Sequence, residues 1–370
     1  MFLALRELKH AKMRYLLIAL IMVLIAWLVL FVSGLAQGLS SDNASSIQNM
    51  NADYLIVQKD SDHRLTRSTV PEAQLAEIRD FAGGSSAAPL GVQMTAVTKA
   101  GETKKLDATL FAIETEGMLA PAIAEGRMVD EIAPDEAVVD ISFKEAGIAL
   151  GEVLEEQMSG QQLKVVGFTK GQSFSHSPVI HVNFKVWGTI KPAVSRGGTG
   201  DGLQYNAVAL QASAAKADQI SESVPGIEVI TMDQALQGIP GYKEEQGSLL
   251  MMVAFLFVIA AFVLAVFFYV ITIQKMNQFG VLKAIGASSS YLARNIISQV
   301  ITLSVASLAV SIGFTYGVAA ILPAGMPFDL SPRLVVLCSV LFLAVAVVGS
   351  LLSLYRVVSV DAIEAIGRAA

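Results

Sequence analysis

Apolar and polar positions fall into long blocks along this chain. Four runs, 15–36, 249–273, 295–322 and 333–356, are nearly pure in apolar residues and carry no charge in their interiors. Each is longer than the roughly 18 residues that mark a candidate transmembrane helix, and a bilayer core is about 30 Å thick. The stretch between the first two runs, 37–247, has the mixed charge pattern of a water-facing domain. Short β-rich segments occur in it at 53–57 (DYLIV), 137–140 (AVVD), 163–168 (LKVVGF), 207–210 (AVAL) and 227–230 (IEVI). Helix starts are legible between them: Pro71 stands at a first helical position, and Ser142…Glu145 and Thr231…Gln234 have capping-box spacing. The expected fold is therefore an α-helical membrane protein with four transmembrane helices plus a mixed α/β extracytoplasmic domain.

Composition supports the membrane assignment: 54% of residues are hydrophobic and 16% charged, with mean hydropathy +0.57. Charge placement sets the expected orientation. The segments 1–14, 274–294 and 357–370, with Arg356 at the end of the last run, hold nine basic and three acidic residues. Residues 37–247 hold 16 basic and 28 acidic ones, a net of −12. By the positive-inside rule both termini are cytoplasmic and the large domain lies outside, in a bacterial cell membrane. The basic start followed by an apolar run mimics a secretory signal. At 22 residues, however, the run 15–36 exceeds the roughly 7–15 of a signal core and reads as a retained span. The lone Cys338 excludes a disulfide framework and a cysteine-rich metal site.

Two cytoplasmic segments carry their own pattern. In 1–14, Phe2, Leu5 and Leu8 share one helical side and Arg6, Lys9 and Lys12 another, which suits either an interfacial helix or a plain basic anchor. In 274–294, Met276, Phe279, Leu282 and Ile285 recur every three residues, Gly286 ends the helix, and Ser288–Ser290 can cap the next one. This segment is either a rigid helix on which a partner protein pushes or a loop that only touches headgroups. No G-x-x-x-x-G-K-[ST] occurs, so the chain has no Walker A of its own, and the Gly-rich 196–202 reads as a loop. No nucleophile–base pair stands out, and neither enzyme chemistry nor nucleic-acid binding is expected.

The segment QFGVLKAIGASSSYLARNI (278–296) resembles the motif of MacB/FtsX-type ABC transporter permeases, as the tail RVVSVDAIEAIGR (356–368) resembles their closing pattern. Gln278 stands where that family usually has Glu, and Val360-Asp361-Ala362 lacks its usual proline. The resemblance implies a coupling helix whose contact with a separate cytoplasmic ATPase is Gln278, Phe279, Gly280, Val281, Leu282, Lys283, Ala284, Ile285, Gly286, Ala287 and Ser288. It also implies a homodimer beside two copies of that ATPase, which binds the ATP. Motion would pass through the spans to the outside domain by mechanotransmission, with no substrate crossing a central pore.

The opening K-x-R-Y and the F-x-S-G-L-A-x-G-L exit of the first span are similar to the HrtB-type heme-exporting permeases of Gram-positive bacteria. Heme is then the expected substrate, taken from membrane lipid, with no permanently bound cofactor. Gly34 and Gly38 form a G-x-x-x-G that lets two copies of the first span approach. Met251 and Met252 open the second span, and with Gln37, Glu244 and Glu245 they are candidate heme contacts; thioether is a known axial ligand. The plainer reading makes the methionines packing residues and His63, His176 and His181 surface or core histidines. Another amphipathic substrate (lipid, lipopeptide or peptide antibiotic) and an FtsX-like signalling role without transport stay open.

Overall fold

The computed structural model describes residues 12–191, 202–323 and 326–358. The N-terminal amphipathic pattern, most of the Gly-rich 196–202 stretch and the tail from 359 lie outside the described residues. The chain divides into two units at 38/39 and 246/247.

Among the described residues of the membrane unit, four helices are long and apolar enough to cross a bilayer. They are α1 (Lys12–Gln48), α7 (Tyr242–Gln274), α9 (Ser289–Ala319) and α10 (Pro332–Val358); α8 (Met276–Ala284) is a short helix between the second and third. α1 and α7 overrun the predicted spans: α1 continues past Asp42 and Asn43, and α7 begins before Glu244 and Glu245. Small hydroxyl residues let the helices close up. Ser304, Ser307, Ser311 and Thr315 of α9 are buried, and the single Ser311 hydroxyl proton is shared between the carbonyls of Val23 in α1 (2.9 Å) and Ser307 (2.8 Å). Such bonds satisfy hydroxyls that lipid could not.

Gly34 and Gly38, expected to let two copies of the first span approach, stand against a segment of the same chain. A Cβ on Gly38 would stand 2.3 Å from the Pro327 carbonyl oxygen, and one on Gly34 would stand 2.7 Å from the Phe328 ring. The segment is fastened there by the Asp329 N–H donating to the Gly34 carbonyl (3.1 Å) and by Phe31 beside Phe328, with centroids 5.4 Å apart.

The second unit, Leu39–Gln246, is the mixed α/β domain. Its strands are β1 (Tyr54–Gln58), β2 (Val70–Pro71), β3 (Ala87–Lys99), β4 (Lys105–Ala112), β5 (Ile123–Gly126), β6 (Glu136–Asp140), β7 (Val153–Glu156), β8 (Gln162–Thr169), β9 (Ser173–Phe174), β10 (Ser177–Val182), β11 (Gln204–Tyr205), β12 (Ala207–Leu210) and β13 (Ile227–Thr231). The helices are α2 (Glu72–Ala82), α3 (Ser142–Glu145), α4 (Phe184–Ile190), α5 (Ala214–Ser223) and α6 (Met232–Gln237). The large sheet runs β13-β1-β12-β3-β4-β10-β6-β8-β5 and is antiparallel except at β4–β10 and β6–β8. All five segments read as strands are strands. The capping box at Thr231 and Gln234 forms, whereas Ser142 is already inside its helix and Pro71 stands just before one.

Alternation along β10 sends Ile180 and Val182 into one core, with Trp187, and Val179 into the other, with Phe174. His181 lies opposite Phe111 of β4 and is 2% exposed. Its Nδ1 is enclosed without a partner, and burial pushes the imidazole down to about 3. The unfolded chain therefore binds a proton between pH 6.5 and 3 that the folded domain refuses, so stability falls as pH drops through that window. From pH 7 to 5 the loss at this residue is about 2 kcal/mol. Urea unfolding followed by Trp187 should show that loss, and His181→Phe should remove most of it. A pH dependence identical in both proteins would contradict the assignment.

Candidate functional site

The junction from α7 to α9 is built by three local signals. Lys275, at φ −95° and ψ 1°, breaks the long helix; α8 follows; then Gly286, at φ +100°, turns the chain where a side chain would be strained. Ser288 caps α9 by accepting from the Tyr291 N–H.

α8 is thereby held with two different faces. Phe279 is buried at 3% exposure in the core that contains Phe268, Leu292, Ile296, Val300 and Leu303, with Leu282 packed beside it. Phe279 is thus corrected from a direct outward contact to an inward anchor, because the helix side it occupies faces α7 and α9. Gly280 is buried too, while Gln278, Val281, Ala284, Ile285, Gly286 and Ser288 are exposed and Lys283 and Ala287 half-buried. The exposed side of this segment is apolar at Val281 and Ile285. Beneath α8 lies a polar contact that the pattern reading missed: Lys275, 6% exposed, donates from Nζ to Gln299 Oε1 at 3.2 Å. The signal was there, a lysine directly after an uncharged run, but its partner is 24 positions away.

Of the candidate heme contacts, Gln37, Met251 and Met252 fall in the membrane unit and Glu244 and Glu245 in the α/β unit. Met251 and Met252, at 56% and 43% exposure, are successive residues on α7 and so point about 100° apart; Gln37 is half-buried on α1. Glu244 and Glu245 belong to the α/β unit, where Glu245 is already engaged. It accepts from Asn43 Nδ2 at 2.5 Å, and His176 Nε2 lies 3.2 Å away. His176 Nδ1 lies 2.9 Å from Asp42, so one imidazole joins the ends of two helices from a turn in which Ser175 and His176 both have positive φ. Sequence reading could not find this, since Asp42 and Glu245 lie 203 residues apart. Among the described residues no group of three His, Cys, Asp or Glu could hold a metal ion.

Comparison with known proteins extends across both units. Residues 15–231 match the MacB-like periplasmic core domain and residues 250–362 the FtsX-like permease C-terminal region. The chain belongs to the MacB/FtsX/HrtB-type ABC transporter permeases. It is 31% identical over 99% of both chains to "Putative hemin transport system permease protein HrtB" of Staphylococcus haemolyticus, and 28% identical at the same coverage to the protein of that name in Staphylococcus epidermidis. An uncharacterized ABC transporter permease of Mycobacterium tuberculosis is 22% identical, again over 99% of each. The periplasmic region of MacB from Actinobacillus actinomycetemcomitans is 15% identical over 52% of this chain and 95% of that one, with TM-score 0.36. In this permease α8 falls within the FtsX-like part and the β-sheet within the periplasmic core part, which makes the α/β unit extracytoplasmic.

Proposed function

We propose that this permease exports heme, driven by ATP hydrolysis on a separate cytoplasmic subunit. The observation that carries this reading is the end-to-end similarity to two relatives named as hemin transport permeases. The nine-to-three basic excess on 1–14, 274–294 and the 356–370 tail supports a cytoplasmic position for those segments. The ATPase then docks on the outer face of α8, at Val281 and Ile285, and Phe279 passes its motion to Ile296, Val300 and Leu303 of α9. Rigid packing suits this task, since a close-packed core transmits strain.

Two copies of the permease act together. α7 is the least covered span and presents Phe255, Ile259 and Phe262 at 61%, 60% and 70% exposure to lipid or to its mate. Heme, flat and apolar with two propionates, enters sideways from membrane lipid, and Met251 and Met252 are the residues of α7 that would meet its iron. A strain lacking this gene should stop growing at a hemin concentration that its parent tolerates, and the intact gene should restore growth. Equal hemin tolerance in the two strains would remove heme as the substrate.

A further inference from the structure

The extracytoplasmic unit contains a cavity of about 240 Å³ between the end of α1 and the sheet. That is room for roughly eight waters at about 30 Å³ each, below the roughly 300 Å³ at which drug-sized pockets begin. Phe111, Met118 and the His181 ring line it together with Asn49, Gln172 and Lys170.

Three observations point to a ligand. First, His181 is 2% exposed and its Nδ1 has no partner, an unsatisfied polar atom in an apolar wall. A group that bonded the imidazole would relieve that cost. Second, no carboxylate lines the cavity, although residues 37–247 hold 28 acidic side chains. Third, the one cation of the lining, the exposed Lys170, makes no ion pair among the described residues. The end of α1 adds a partial negative charge, but its Ser45 and Ile47 carbonyls already accept from the Asn49 and Met50 N–H groups. A neutral imidazole, a free ammonium and an apolar wall together fit one chemistry.

We propose that this cavity binds a small organic anion, an apolar body bearing one carboxylate, with the body against Phe111 and Met118 and the carboxylate between Lys170 and the His181 imidazole. The site lies wholly in the α/β unit and is independent of heme, so hemin tolerance has no bearing on it. Benzoate, benzamide and benzamidinium share a shape and differ in charge, which makes them suitable probes.

Equilibrium dialysis of radiolabelled benzoate against the full-length permease in lipid nanodiscs should show saturable binding, after subtraction of empty nanodiscs. Benzamide and benzamidinium should compete at least about tenfold more weakly. Lys170→Glu, an exposed change that leaves the core untouched, should weaken benzoate by about tenfold or more and leave benzamide unchanged. His181→Phe should weaken both. No saturable benzoate binding, equal competition by the three probes, or full benzoate affinity in Lys170→Glu would each overturn the proposal. The Lys170 variant decides the matter if His181→Phe does not fold.

Discussion

Phe279→Ala should abolish ATP-driven export while the permease still assembles in the membrane. Phe279 is 3% exposed among Phe268, Ile296, Val300 and Leu303, and truncation of such a ring leaves a cavity costing about 3–5 kcal/mol. The loss falls where a nine-residue helix is held to α9, so α8 becomes free to yield when pushed. Phe279→Leu fills most of the space and should keep most activity. Val281→Asp tests the opposite face: at 57% exposure it leaves the packing intact and should weaken docking of the ATPase instead. Pull-down of the ATPase separates the two, since Phe279→Ala should retain it and Val281→Asp should lose it. Full export by Phe279→Ala would contradict the inward anchor.

Gly38→Val should destabilise the membrane unit more than any other change at the two glycines of the first span. Its Cβ would lie 2.3 Å from the Pro327 carbonyl oxygen and 2.6 Å from the Phe328 nitrogen, backbone atoms that cannot rotate aside. Overpacking of this kind costs about 1–3 kcal/mol and sometimes more. Gly34→Ala meets the Phe328 ring at 2.7 Å, and a ring can turn, so its penalty should be smaller. The melting temperature of the purified permease should fall in the order Gly38→Val, Gly34→Ala, wild type, from lowest to highest. A wild-type melting temperature for Gly38→Val would show that the 326–329 segment does not hold α1.

Local signals carried much of this architecture into the sequence. Four uncharged runs wrote the spans, because lipid tolerates nothing else, and Gly286 with Ser288 wrote the break before α9. The Thr231–Gln234 box was legible because both partners lie within one turn. What depends on distant neighbours was not. A G-x-x-x-G states that something approaches closely, and here Pro327 and Phe328 approach. An apolar stripe on α8 states that one side is covered, but not whether the cover is the chain's own bundle or another subunit. His176 reaches Asp42 and Glu245 only because a turn of two positive-φ residues carries it to the helix ends, and no spacing rule encodes that. His181 had the same appearance in sequence as any strand histidine; its neighbours on that face, Phe111, Met50 and Met118, come from distant parts of the chain.

The central claim is that ATP hydrolysed on a partner subunit drives heme out of the membrane through this permease. The most direct measurement reconstitutes the permease with its ATPase in heme-loaded liposomes and follows heme transfer to an external apoprotein by absorbance. The account predicts transfer that accelerates on addition of ATP and falls to the ATP-free rate in Phe279→Ala. Heme transfer indifferent to ATP, in liposomes whose ATPase is active, would contradict it.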